Sequence, residues 1–376
     1  MTFNYNLPVN LIFGRGRSSG LGKYTSAYGK KALIVTGKGS TKRSGLLDRA
    51  VAWLNEAGVE SVIFDKATPN PLTTTVMEGA DLARSACCDV VVALGGGSVM
   101  DCAKGIAFMA LNEGNVTDYI SNQRTGSKAL PFIAVPTTCG TGSEGNYYAV
   151  LSNPENGDKK SLVTPLIIPK ASIIDSTLME TMPSNVLASV GFDALCHCME
   201  AYVAAKATPV SDLMACEGMH LIAKNLVKVV NKGGTADEWD ELTWASTLGG
   251  MAIHIGGCTL PHGLEHPASG LKNITHGVGL AALTPSIIKY SYAACPERYS
   301  DISKILGGNS AEDCADTVAG FIKALGLTAN LSAAGINPED VIWMVMNARR
   351  VSAATIANHP IQFSDEQLAA IYMEAL

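Results

Sequence analysis

The stretch DVVVALGGGSVMDCAKGIA, residues 89–107, constrains the fold more than any other part of the chain. Its apolar run is too short for a helix, is rich in branched residues and is closed by three glycines. It therefore reads as a strand buried on both faces, and such strands belong to parallel sheets covered by helices. The same rhythm recurs around it. KKALIVTG (30–37) and VESVIFD (59–65) read as strands, and LLDRAVAWLNEAG (46–58) and TTTVMEGADLARSA (73–86) carry apolar residues at helical spacing; LPFIAVP (130–136) reads as a further strand. Strand and helix in alternation predict a Rossmann-like α/β domain. YYAVLS and KKSLVT flank NPENGD, the pattern of a hairpin. From about Pro183 the strand pattern vanishes. SNVLASVGFDALCHCMEAYVAAK, SDLMACEGMHLIAKNLVKVV and DCADTVAGFIKALG all follow helical spacing. The expected organisation is thus α/β plus all-α: a parallel-sheet α/β domain over 1–182 and a helical domain over 183–376.

With 376 residues, two cores can form. The formal net charge of −6 lacks the basic footprint that nucleic acid or an anionic membrane surface requires. The opening MTFNYNLPVNLIFGRG has no basic segment leading into an apolar one, and no apolar stretch approaches spanning length, so a cytoplasmic protein is expected. The ten cysteines are scattered through periodic, core-like surroundings, which suits small buried residues better than a disulfide framework. Cys196 and Cys198 flank His197 on different faces of a helix and are not counted as ligands.

Gly95, Gly96, Gly97 and Ser98 follow one strand and open a helix. Glycines there let the backbone approach a ligand, and the helix terminus offers unpaired N–H groups to a phosphate. Asp101, three residues after Ser98, suits a helix cap. VPTTCGTGSE (135–144) repeats the arrangement after another strand, with Thr137, Thr138, Thr141 and Ser143 supplying hydroxyls. Each turn alone is ordinary strand-to-helix chemistry; two on one sheet mark the place where open α/β folds bind nucleotides.

Three of the seven histidines fall between residues 262 and 276. His262 and His266 lie four apart, and Pro267 and Gly270 are expected to break the helix, so that His276 arrives from a new element. Asp193 and His197 are also four apart on a helical segment and share a face. An isolated D-x-x-x-H reads as a core histidine beside a surface aspartate; beside three more imidazoles it gains weight. One carboxylate and three imidazoles can hold a divalent transition metal with room for a substrate oxygen, and the remaining imidazole is a natural proton relay. His220, His254 and His359 read as structural.

Taken in this order, GGGSVMDCAK, PTTCGTGSE, GFDALCHCMEAY and HGLEHPASGLKNITHGVGLAALTP resemble the iron-containing (group III) alcohol dehydrogenases, and the resemblance covers nearly the whole chain. It implies a dehydroquinate synthase-like two-domain fold with a catalytic metal in the cleft. The implied ligands are Asp193, His197, His262 and His276, with His266 the non-ligand histidine near nicotinamide and substrate. Cofactor contacts are implied at Gly37, Ser40, Asn70, Gly96, Gly97, Ser98, Asp101, Thr137, Thr138, Thr141 and Lys160. The resemblance implies Fe(II), with Zn(II) an alternative, a small alcohol or aldehyde as substrate, and a homodimer or larger assembly.

Gly37 stands where NAD-preferring relatives often carry Asp, and Ser40, Lys42 and Arg43 follow. Absence of a carboxylate beside cations favours NADP(H) over NAD(H). Three departures from the family pattern stand out: GNYYAV after Glu144, Ile361 where an arginine is common, and Glu265 within H-G-L-E-H, placed to orient an imidazole. The rival readings are a glycerol or hydroxy-acid dehydrogenase, a dehydroquinate synthase, a metal-dependent phosphohydrolase, and a non-catalytic metal- or nucleotide-binding protein, which leaves the spare histidine unexplained. The synthase would want several cations near the metal, yet Leu260–Ser291 holds only Lys272 and Lys289. The phosphohydrolase leaves both glycine turns without a purpose.

Overall fold

The computed structural model describes residues 2–376. Six strands form one parallel sheet: β1 (Asn10–Phe13), β2 (Lys31–Gly37), β3 (Glu60–Ala67), β4 (Val90–Gly95), β5 (Phe132–Pro136) and β8 (Ala171–Ile174), in the order β1-β8-β5-β4-β2-β3. The expected hairpin forms from β6 (Tyr148–Asn153) and β7 (Asp158–Val163), antiparallel, with Asn153 opposite Asp158. Strand periodicity explains why the central strands are apolar on both faces. Leu33, Val35, Val91 and Ala93 pack against α2 (Thr73–Ser85) and α3 (Gly97–Met109); Ala32, Ile34, Val90, Val92 and Leu94 pack against α1 (Leu46–Glu56). The result is a helix–sheet–helix sandwich. Two of its strands, β1 and β8, were not anticipated, each only four residues long.

The second half is helical. α4 (Ser184–Val203), α5 (Pro209–Lys232) and α6 (Ala236–Gly256) pack together, followed by α7 (Leu260–Lys272), α8 (His276–Ser291) and shorter helices. Their starts are set by local chemistry: Thr208 caps α5 with Pro209 at its first position, and Thr235 and Glu238 form a capping box on α6. α4 alone among the described residues is long and apolar enough to cross a membrane, but 83% of that window is buried inside the protein. Its apolarity belongs to the core.

Pro267 does not end the helix as expected. α7 continues through it to Lys272 and stops at Asn273, which takes a left-handed conformation (φ 52°). The proline removes one N–H donor, but Leu260, Leu264 and Ala268 on the same helix are fully buried in a core cluster, and that packing holds the segment helical. His276 still opens a separate helix.

Asp175, just after β8, fastens the amino-terminal loop to the sheet. Its carboxylate accepts from the Gly16 amide (2.9 Å), from the Ser18 amide and hydroxyl (3.0 and 2.7 Å) and from the Thr177 hydroxyl (2.6 Å). Burial opposes ionisation, but these bonds outweigh it and hold the carboxyl below its ordinary value. A folded-state pKa below the unfolded one means stabilisation that is present above about pH 4 and lost as pH falls through the folded value. Asp175→Asn is therefore expected to lower stability by about 1–3 kcal/mol at neutral pH. Urea unfolding of the two proteins should show this gap narrowing as pH falls below about 4.

Candidate active site

β2 sits between β3 on one side and β4 on the other, so the strand order reverses there, and the carboxyl ends of β2, β4 and β5 open onto a common edge. Open α/β sheets bind ligands at such a switch point. Gly95 pairs with Pro136 in register, which sets the glycine turn beside the PTTCGTGSE loop. The amide of Thr137 donates to the Gly95 carbonyl (3.1 Å). A Cβ on Gly96 would lie 2.7 Å from the Thr138 hydroxyl, and one on Gly97 would collide with Thr141. Only glycine lets these threonines close against the turn. α3 begins there without a side-chain cap, so its first N–H groups are free to receive a phosphate.

The expected helix cap from Asp101 is absent. Its carboxylate instead accepts from the Ser143 hydroxyl (2.7 Å) and the Val150 amide (3.0 Å), tying α3 to the second loop and the hairpin. Beside it lies Lys104, fully buried, donating to the Ser143 carbonyl, the Tyr148 carbonyl and Asn146. Burial lowers this ammonium to about 8, against the pull of Asp101 and Glu144. Gly37 ends β2 at the same edge, where an added Cβ would meet nothing closer than the Ala67 carbonyl at 3.6 Å; glycine is not sterically required there. Ser40 opens a single helical turn whose Lys42 pairs with Asp65 (2.5 Å). Asn70 donates to Asn273 Oδ1 (2.8 Å) and the Ile274 carbonyl (3.3 Å), reaching the segment that leads into His276.

The metal candidates converge. One oxygen of Asp193, Oδ1, lies 3.6 Å from His197 Nε2, 3.4 Å from His262 Nε2 and 3.6 Å from His276 Nε2. α4 supplies the first pair and α7 and α8 one histidine each. α8 approaches α4 closely because Gly277 lies against the Ser189 carbonyl, where any Cβ would clash. Asp193 Oδ1 and His262 Nε2 are buried without a hydrogen-bond partner. Buried polar atoms left open and aimed at one point are what a cation satisfies. Burial alone would raise the Asp193 carboxyl; the surrounding imidazoles of His197, His276 and His262 overcome it and hold it well below the carboxylate range. The carboxylate is thus anionic, the form a divalent cation needs. Only His276 is appreciably exposed, at 26% of its side chain, which places the mouth of the site on that side.

Two buried glutamates orient the imidazoles. His262 Nδ1 donates to Glu200 Oε1 and His276 Nδ1 to Glu265 Oε2, both at 2.5 Å. Each contact fixes the tautomer that leaves Nε2 open to a metal. Glu200 was not singled out in the sequence, although it sits three residues after His197. Glu265 also pairs with Lys159 (3.2 Å), and Lys159 Nζ lies 3.4 Å from His276 Nδ1. Side chains alternate along β7: Lys159 is the buried one, reaching Glu265 and His276, while Lys160, the residue expected at the cofactor ribose, is half-buried on the neighbouring position.

His266 joins the group without sharing the common oxygen. Its ring centroid lies 6.2 Å from that of His262 and 6.0 Å from that of His276. Burial and the nearby Lys159 ammonium push it well below the ordinary imidazole value. His359 bonds to the Ser291 hydroxyl, His254 to the Asn6 carbonyl and His220 to the Cys216 carbonyl, each by one ring nitrogen. All ten cysteines are free, and six are buried. Cys258 departs from the filler reading: its sulfur and one ring nitrogen each of His197 and His262 lie within 4.8 Å of one another. Nothing in the spacing pointed to it, because Cys258 sits in the short connection between α6 and α7.

The family model described as iron-containing alcohol dehydrogenase matches residues 8–176, and that of the Fe-containing alcohol dehydrogenase carboxyl-terminal region matches 187–376. The chain is similar to a 1,3-propanediol dehydrogenase of Klebsiella pneumoniae, 35% identical over 99% of this chain and 98% of the relative. It also resembles an NADPH-dependent butanol dehydrogenase of Clostridium saccharobutylicum, 30% identical over 98% and 96%. Among solved structures, an archaeal halo-thermophilic alcohol dehydrogenase from a Red Sea brine pool superposes with a TM-score of 0.96 at 34% identity, covering 100% of this chain and 99% of that one.

If Glu200 and Glu265 hold their histidines for a cation, Glu200→Gln and Glu265→Gln will each weaken Zn(II) binding roughly 10–100-fold. Competition with a chromophoric chelator measures this, with circular dichroism to check that the fold persists.

Proposed function

The chain belongs to the iron-containing alcohol dehydrogenase family, and from that premise we propose that it is a metal-dependent, NADP(H)-linked alcohol dehydrogenase and aldehyde reductase for small substrates. The observation that carries this reading is the convergence of three imidazole Nε2 atoms on one oxygen of Asp193, in a chain whose sheet also carries a glycine turn at its switch point. Asp193, His197, His262 and His276 are the ligands, for Fe(II) or Zn(II). Bound there, the cation supplies Lewis-acid polarisation of an alcohol or aldehyde oxygen, and the nicotinamide supplies or takes up the hydride.

The chain's own residues do the remainder. Glu200 and Glu265 keep the ligand imidazoles in one orientation. Gly96, Gly97, Ser98, Thr137, Thr138 and Thr141 receive the pyrophosphate and ribose. His266, beside the ligands and held neutral by its surroundings, is the group we assign to pass the hydroxyl proton toward solvent. The helices around the ligands exclude water and fix the reactants at reacting distance.

NADP(H) is favoured because β2 ends in Gly37, which has room for a larger residue, and because Arg43 follows on the adjoining turn. The relatives divide: one resembling protein is an NAD-dependent methanol dehydrogenase of Bacillus methanolicus, another the NADPH-dependent butanol dehydrogenase. The preference is therefore argued from this chain's residues.

Purified protein loaded with Fe(II) or Zn(II), supplied with each cofactor and a panel of short alcohols and aldehydes, should turn over with NADP(H) ahead of NAD(H). No turnover with any combination contradicts the reading. Gly37→Asp should shift preference toward NAD(H) by about tenfold or more, since it sets a carboxylate against the 2′-phosphate. His262→Ala should lose the metal, while His266→Ala keeps it and slows turnover. Equal metal loss in both would overturn the assigned roles.

A further inference from the structure

Cys258 lies where neither the four-ligand set nor the cofactor turns require a cysteine. Its sulfur, a ring nitrogen of His197 and a ring nitrogen of His262 are mutually within 4.8 Å. The placement is held from both sides. Asn358, buried, donates to the Cys258 carbonyl (3.0 Å) and to the Gly256 carbonyl (2.7 Å), while the Thr259 amide donates to Glu200 Oε2 (2.6 Å). The connection between α6 and α7 is thus clamped, and the same Glu200 that orients His262 holds the residue next to the thiol. The two imidazoles nearby are buried, and His197 Nδ1 and His262 Nε2 lack partners. With His262 Nδ1 committed to Glu200, Nε2 is the nitrogen that ring has left to offer.

We propose that Cys258 is a fifth donor to the metal, turning an all-nitrogen-and-oxygen site into one with a sulfur ligand and biasing it toward a thiophilic cation, Zn(II) over Fe(II). The inference rests on the reading above that Asp193 and the three histidines hold a divalent cation. Thiolate ligands select zinc, and imidazole and carboxylate alone discriminate poorly among first-row ions. Coordination forms one sulfur–metal bond and breaks the S–H bond, the proton passing to solvent; no electrons are transferred.

Co(II) reports on the two claims separately. Bound by Asp193 and the histidines, it gives visible d–d absorption; bound also by sulfur, it adds an intense near-ultraviolet sulfur-to-cobalt charge-transfer band. The whole chain titrated with Co(II) is expected to show both, and Cys258→Ala to keep the d–d bands, lose the charge-transfer band and release one proton fewer per ion bound. Zn(II) affinity of Cys258→Ala should fall roughly tenfold, with Fe(II) affinity changed less. Wild-type protein that shows d–d absorption without the charge-transfer band refutes the fifth donor and leaves the metal site standing. A band that survives in Cys258→Ala refutes it as well. No Co(II) binding at all overturns both the donor and the site.

Discussion

A carboxylate taken out of water must be compensated, and at Asp193 three imidazoles are aimed at a single one of its oxygens, around a point that a cation would fill. The structure of the helical half follows from that requirement. An isolated buried charge costs several kcal/mol even after relaxation, so each imidazole has to arrive in a fixed orientation. α4 supplies Asp193 and His197 one turn apart and is buried along most of its length. α7 supplies His262 and stays helical through a proline. α8 supplies His276 from its first position. Glu200 and Glu265 complete the arrangement by accepting from the Nδ1 N–H groups of two of these rings, and Lys159 balances the second of these buried carboxylates.

The metal half is joined to the sheet half by polar contacts that cross between them. Lys159, from the hairpin, pairs with Glu265 on α7; Asn70, after β3, reaches Asn273 and Ile274; Thr247 on α6 donates to Glu144, buried in the loop after β5 (2.8 Å). Lys159 belongs to both sides of the chemistry, since the hairpin that carries it is tied through Asp101 and Val150 to the helix that opens at the glycine turn. A cofactor seated on that turn is therefore separated from the metal ligands by a short chain of packed, hydrogen-bonded groups.

Much of this was legible in the sequence because it follows local periodicities. Strands buried on both faces read as unbroken apolar runs, and β2, β4 and β5 were visible for that reason. The pairing of Asp193 with His197 was visible because a four-residue spacing puts both on one helical face. What escaped has physical causes too. β1 and β8 are four-residue strands, too short for a pattern to emerge, and exist because neighbouring strands pair with them. Pro267 suggested a break that tertiary packing overrode. Lys159 drew no notice because adjacent lysines are indistinguishable until the hairpin register fixes which one reaches Glu265. Asp101 looked like a cap, but its partners are residues 42 and 49 positions away, beyond any local signal. Cys258 and Glu200 act through contacts made only when α4, α6 and α7 come together.

The central claim is tested most directly by locating the ion. Anomalous diffraction from crystals grown with Zn(II), collected on either side of the zinc absorption edge, should place one strong peak within bonding distance of Asp193 Oδ1 and the Nε2 atoms of His197, His262 and His276. A peak held instead by Glu265, His266 and His276, or no peak at the Asp193 carboxylate in protein that binds zinc, would contradict the account.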